Sequence, residues 1–230
     1  MQKSEASEKR IANLVSYIEC LLREENVRES YQRHFEEFAG LESLEVFQAF
    51  RQILDQGYDP DQVITEVSRV ILATQREDDF EEVRPEDPFL QELRAENQTM
   101  MDLLAGLRPL FRQERTPERD QKIVAAMQGL RQVRAHFVRL QNIFFPTLEH
   151  KPHALSGLTL LWAWQDQAET VLEQSLATFA DPKMPTEQLN RMAGELFGSY
   201  ASLPFKEERL LYTAADKLLD ETDWEIGRAH

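Results

Sequence analysis

A chain of 230 residues, 42% of them apolar, can build one large helical domain or two small ones. Its formal charge of −15 argues against a phosphate-binding face, and so against nucleic acid as a partner. The single cysteine, Cys20, excludes an internal disulfide framework, and no apolar run approaches the roughly 20 residues that span a bilayer.

The first ten residues, MQKSEASEKR, lack the apolar core of a signal peptide, so a cytoplasmic protein with no membrane partner is expected. Residues 8–24 place Ile11, Leu14, Val15, Ile18, Leu21 and Leu22 on one helical stripe. A second helix over 27–38 carries Tyr31, Phe35 and Phe38. Ser43 has the chemistry of an N-cap for a third helix with Leu44, Phe47, Phe50, Ile53 and Leu54, and Gly57 suits its left-handed stop. Asp59-Pro60-Asp61 restarts the chain into a fourth stripe of Val63, Ile64, Val67, Val70 and Ile71. These helices define a small helical domain over residues 1–77.

Residues 78–88 are acidic, hold two prolines and lose helical periodicity, which marks a linker. Beyond it, residues 89–230 read as a four-helix bundle. Leu90, Leu93, Asn97, Met100, Leu104, Leu107 and Phe111 alternate steps of three and four, the seam of a bundle helix. Thr116-Pro117 caps and opens the next helix, with Ile123, Met127, Leu130, Val133, Phe137, Leu140 and Phe144. That helix is expected to close on Phe144-Phe145-Pro146, with His136 leaning inward. A third seam runs through Leu158, Leu161, Gln165, Ala168, Leu172 and Leu176. The fourth runs through Leu189, Met192, Leu196, Tyr200, Leu203, Glu207, Leu210 and Ala214, and Pro204 within it predicts a kink or restart. Arg131, Arg134 and Arg139 read as a solvated face, and His150 and His153 as loop histidines with no third ligand nearby.

The stretches LRAEN (93–97), HFVRLQNIFFPTLE (136–149), WAWQDQ (162–167) and FKEERLLYTAADKLLDETDW (205–224) resemble the hemerythrin-like HHE cation-binding family. Residues 35–67, FEEFAGLESLEVFQAFRQILDQGYDPDQVITEV, resemble a companion helical domain of unknown function that precedes such bundles. The resemblance implies an all-α fold, an up-down four-helix bundle behind a small N-terminal helical domain. It also implies a core that holds two irons on histidines and carboxylates from all four helices, open to dioxygen. Position by position this chain departs from that pattern. Gln91 stands where helix one should bring a histidine, Leu140 where helix two should bring a glutamate, Gln165 near the helix-three ligand, and Leu203 where helix four should bring a histidine. His136 and Glu207 remain as metal-ligand candidates, and they are expected to pair with each other across the bundle.

No cofactor is therefore expected, with iron retained as the alternative if the site partly survives. The leading expectation is a non-enzymatic hemerythrin-like protein with a degenerate metal site, acting as a sensor or through a protein partner. The alternative is an iron- or oxygen-binding bundle with a reduced or mononuclear site. A third reading, an enzyme with a pocket near Trp162, Trp164 and Tyr200, rests on aromatics whose spacing is that of ordinary core. There is no Gly-rich phosphate loop and no nucleophile with a paired base. The partner's identity is not written in the sequence, and homodimerisation is left open.

Overall fold

The computed structural model describes residues 2–38, 40–74, 87–151 and 157–228, and every regular element among them is helical. Two compact units share the chain. The first gathers Met1–Arg84, Thr147–Ala163 and Arg209–Leu219, and the second Pro85–Pro146, Trp164–Glu208 and Asp220–His230. None of the described helices is long and apolar enough to cross a membrane.

In the first unit, α1 (Gln2–Leu22) buries Ile11, Leu14, Ile18 and Leu21 on one face, and it packs mainly on α3 (Ser43–Asp55) and α2 (Val27–Phe38). The α3 stripe of Phe47, Phe50 and Ile53 and the α4 (Pro60–Thr74) stripe of Val63, Ile64 and Val67 complete this core. Tyr17 and Tyr31 join α1 to α2 with ring centroids 5.9 Å apart. The side chains of Phe35, Phe38, Val70 and Ile71, and the acidic stretch as far as residue 86, lie outside the described residues.

The cap of α3 differs from expectation. Glu42, not Ser43, is the N-cap, and Ser43 is the first helical residue, buried among its neighbours. Glu45 makes the difference: its carboxylate accepts the Glu42 backbone N–H at 3.0 Å, the N3-to-N-cap half of a capping box. The same buried carboxylate also takes hydrogen bonds from Arg10 and Ser7, so its charge is compensated on three sides. Gly57, at φ +87°, ends the helix in the left-handed conformation its lack of a Cβ permits.

The second unit carries the bundle. Asp87 caps α5 (Pro88–Phe111) by accepting the Phe89 N–H at 2.8 Å, and Pro88 occupies the first turn, where its missing N–H costs nothing. Thr116 does the same for α6 (Pro117–Leu130), accepting from Arg119 N–H at 3.1 Å. Leu90, Leu93, Asn97, Met100, Leu104 and Leu107 are buried along α5, and Ile123, Met127, Leu130, Val133, Phe137, Leu140 and Phe144 along the helix after it. Phe111, half-buried, closes one end against the rings of Phe179 and Phe197.

That second helix does not stop at Phe144-Phe145-Pro146. It passes from α6 through a 3₁₀ turn (Arg131–Val133) into α7 (Arg134–Arg139), widens into a π turn (Leu140–Phe144), and resumes as α8 (Phe145–Glu149). The π turn explains how the proline is accommodated. Phe145 N–H bonds back to Leu140 O, five residues away, and the widened ladder relieves the contact an interior proline ring would make.

Beyond it, α9 (Leu158–Ala180) buries Gln165, Ala168, Leu172 and Leu176 in the second unit. The fourth bundle helix is α10 (Thr186–Ala201), and as Pro204 predicts, it ends and restarts as α11 (Leu203–Lys206). A second π segment, Glu207–Tyr212, leads into α12 (Thr213–Leu218). The C-terminal α13 (Glu221–Arg228) brings Trp224 onto Phe144, stacked at 6.2 Å, with Phe89 on that phenylalanine's edge.

Candidate functional site

His136 occupies α7 one turn before the π turn, and only 3% of its side chain is exposed. Both ring nitrogens meet carboxylates. Nε2 lies 2.8 Å from Glu207 Oε2, and Nδ1 lies 2.7 Å from Glu96 Oε2. Glu207 begins the second π segment and is fully buried, whereas Glu96, on α5, is 31% exposed. The two candidates drawn from the sequence are thus adjacent and joined directly.

The network continues through two amides. Gln165 Nε2 donates to Glu207 Oε1 at 3.2 Å, and Gln141 Nε2 donates to Gln165 Oε1 at 2.9 Å. On the outer side Arg139 Nη1 lies 3.2 Å from Glu96 Oε1 and 3.1 Å from Glu92 Oε2. Residues from α5, α7, α9 and the start of the second π segment meet in one connected set. Asn97, one residue past Glu96, donates to Glu208 Oε1 at 3.4 Å, and Arg94 also meets Glu208.

Charge explains why this set is stable. Burial alone would strip the proton from His136, but the charge and hydrogen bond of Glu207, then those of Glu96, outweigh it and raise its pKa to about 9. Burial pushes the Glu96 carboxyl up, and the hydrogen bond and charge of His136 with the charge of Arg139 bring it below the usual range. Next to Glu207 in sequence, Lys206 is buried with its Nζ 4.0 Å above the Trp164 ring and 3.1 Å from Ser202 Oγ. Burial lowers its pKa to about 7, against the opposing pull of Glu207.

A family model described as the hemerythrin HHE cation binding domain matches residues 89–215, more than half of the chain. The chain belongs to the hemerythrin HHE family. No curated protein and no solved structure matches it.

The family's cations can now be tested against the residues of this HHE bundle. His136 Nε2 and Glu207 Oε2 meet at 2.8 Å as a hydrogen-bonded pair, so this nitrogen is engaged by a carboxylate rather than turned to an open position. Glu96 sits on the opposite nitrogen and cannot share an ion with Glu207 there. Leu140 and Leu203 are fully buried apolar side chains, and the remaining polar neighbours, Gln141 and Gln165, are neutral amides. Among the described residues no group of three or more His, Cys, Asp or Glu side chains is arranged to hold a metal. The donor set does not fit a two-ion centre.

The register expected for helix one needs correction. Gln91 is exposed and faces away from the core, and Glu96 is the α5 residue that reaches His136. Its signal was positional: residue 96 lies three after Leu93 and four before Met100, on the flank of the buried seam. His150 is exposed, and His153 lies outside the described residues.

Proposed function

We propose that this HHE-family chain is a non-enzymatic helical protein with a degenerate metal site, acting as a sensor or protein-interaction module. The observation that carries the reading is the occupied centre: His136 is engaged at both nitrogens by carboxylates, Gln165 and Gln141 extend the hydrogen-bond chain from Glu207, and Leu140 and Leu203 are fully buried apolar side chains. An imidazole held this way has no lone pair to offer an ion, and leucine has none at all. The lone, half-buried Cys20 supports a cytoplasmic setting, and the charge of −15 supports a protein rather than a nucleic acid as partner. A second copy of the chain is one such partner.

The test is metal content. Protein purified anaerobically and offered ferrous iron is read by elemental analysis and visible spectrum; a colourless, metal-free protein that melts cooperatively is the expected result. Two irons per chain with an oxo-bridge absorption would overturn it.

One observation favours a second reading, a mononuclear site. A carboxylate on one imidazole nitrogen, as Glu96 is on Nδ1, is the usual partner of a metal-ligating histidine. On that reading one ion per chain would displace the proton at Nε2, and it would disappear in His136→Ala.

A further inference from the structure

We propose that a cleft in the second unit, between α6 and the end of α9, binds a small carboxylic acid with an apolar body, its carboxylate at Arg115 and its body along Val124, Ala125 and Ala180. The cleft measures about 670 Å³, a size that takes one small organic molecule. None of its residues belongs to the His136–Glu207 set, so the proposal stands apart from the question of a metal.

Small side chains make the room. Val124 and Ala125 on α6 and Ala180, the last residue of α9, leave space that longer side chains would fill. Phe179 beside them is buried, its ring set edge-on against Phe111 with centroids 5.5 Å apart, which gives the cleft a firm apolar wall. Pro117 and Pro182 add apolar surface and bring no backbone N–H. Gln121 and Gln128, both exposed, are neutral amides suited to a rim. An apolar body that leaves water for this lining is stabilised by the surface it buries.

Arg115 sets the polar side, and it is held in place. Its Nε donates to Asp120 Oδ2 at 3.0 Å, Nη1 to Met184 O at 2.7 Å and Thr186 Oγ1 at 3.3 Å, and Nη2 to Pro182 O at 3.4 Å. A guanidinium has one N–H more than these bonds use, and it lies on Nη2. Asp120 is the one carboxylate lining the cleft among the described residues, and two guanidiniums share it. Arg119, buried, brings its Nε to 3.2 Å from Asp120 Oδ1, but without the alignment of a hydrogen bond. Two cations against one anion leave a local positive excess, in a chain whose net charge is −15. An anionic head is favoured there and an ammonium is repelled. With a single N–H to offer, the site suits a singly charged carboxylate rather than a phosphate, whose oxygens call for several donors.

The test uses the full chain and sodium octanoate below its micelle concentration, with octanol and octylammonium as controls of equal length. Titration calorimetry reads the affinity, and ¹H–¹⁵N spectra read the place. The expected result is saturable binding of a single octanoate that shifts the Val124, Ala125 and Ala180 amides, with each control weaker by about tenfold. Ala125→Trp, at an exposed position, fills the cleft and abolishes binding. Arg115→Gln brings octanoate down to the affinity of octanol. Arg115 also holds the turn at Met184, so Ala125→Trp carries the test if the Arg115 variant fails to fold. Three results would each overturn the proposal: no saturable binding of octanoate, binding that Ala125→Trp leaves unchanged, or either control bound as tightly as octanoate.

Discussion

The Lys206 ammonium lies 4.0 Å from the centroid of the Trp164 ring, with a single serine hydroxyl as its hydrogen-bond partner. A buried base whose pKa falls from 10.5 to about 7 binds fewer protons when folded than when unfolded. Stability attributable to Lys206 therefore rises with pH between about 7 and 10.5 and is lowest below that window. Lys206→Met keeps the stem's packing and removes the charge, so it should stabilise the protein by about 1–4 kcal/mol at pH 7. Urea unfolding of the two proteins across pH 7 to 10 should show the gain shrinking as pH rises. A destabilised variant, or a gain independent of pH, would mean the ammonium–ring contact outweighs its desolvation.

His136 acts with the opposite sign. Its folded pKa is raised from 6.5 to about 9, so its stabilising contribution is complete below about 6.5 and is lost as pH rises through 9. Lys206 titrates over an overlapping range, which makes a Lys206→Met background the right one for this measurement. In that background stability should fall between pH 6.5 and 9.5, and the fall should vanish when His136→Gln is added. Persistence of the slope in the double variant would assign it to another group.

The bundle was legible because its helices bury one repeating stripe. Leu90 through Leu107, Ile123 through Phe144 and Leu189 through Leu210 fall on the expected seams, and all are buried. Pro204 announced its own restart, since a proline inside a seam has few other outcomes. His136 and Glu207 stood out as polar residues on apolar stripes. Glu96 did not, because it is one of 41 acidic residues and its role depends on a histidine 40 positions away. The two π segments were equally hidden, since a five-residue hydrogen-bond step has no compositional mark until the chain is folded. Ser43 was misread for a local reason: its type suits a cap, but Glu45 reaches back to residue 42.

Thr116 offers a clean test of helix initiation. Its hydroxyl accepts the Arg119 N–H at 3.1 Å, and Pro117 fixes the next residue's φ, so the hydroxyl can be removed without moving the backbone. Thr116→Ala should cost about 1 kcal/mol, and Thr116→Ser should recover most of it. Chemical denaturation measures both. Equal losses in the two variants would assign the effect to the threonine methyl rather than to the cap.

Gly157 tests packing within the first unit. A Cβ at this position would lie 2.9 Å from Phe50 Cβ, 3.0 Å from Phe47 O and 3.1 Å from a Phe47 ring carbon. Two of those atoms belong to the backbone or to the root of a side chain on α3, so a rotamer change cannot clear them. Both phenylalanines are themselves about 99% buried, which leaves the helix little room to retreat. Overpacking of this kind costs about 1–3 kcal/mol, and Gly157→Ala should lower the denaturation midpoint accordingly. Phe47→Leu shortens the ring but keeps Phe47 O and Phe50 Cβ in place, so it should rescue the alanine variant only in part. Full rescue would show that the ring, not the backbone, sets the limit.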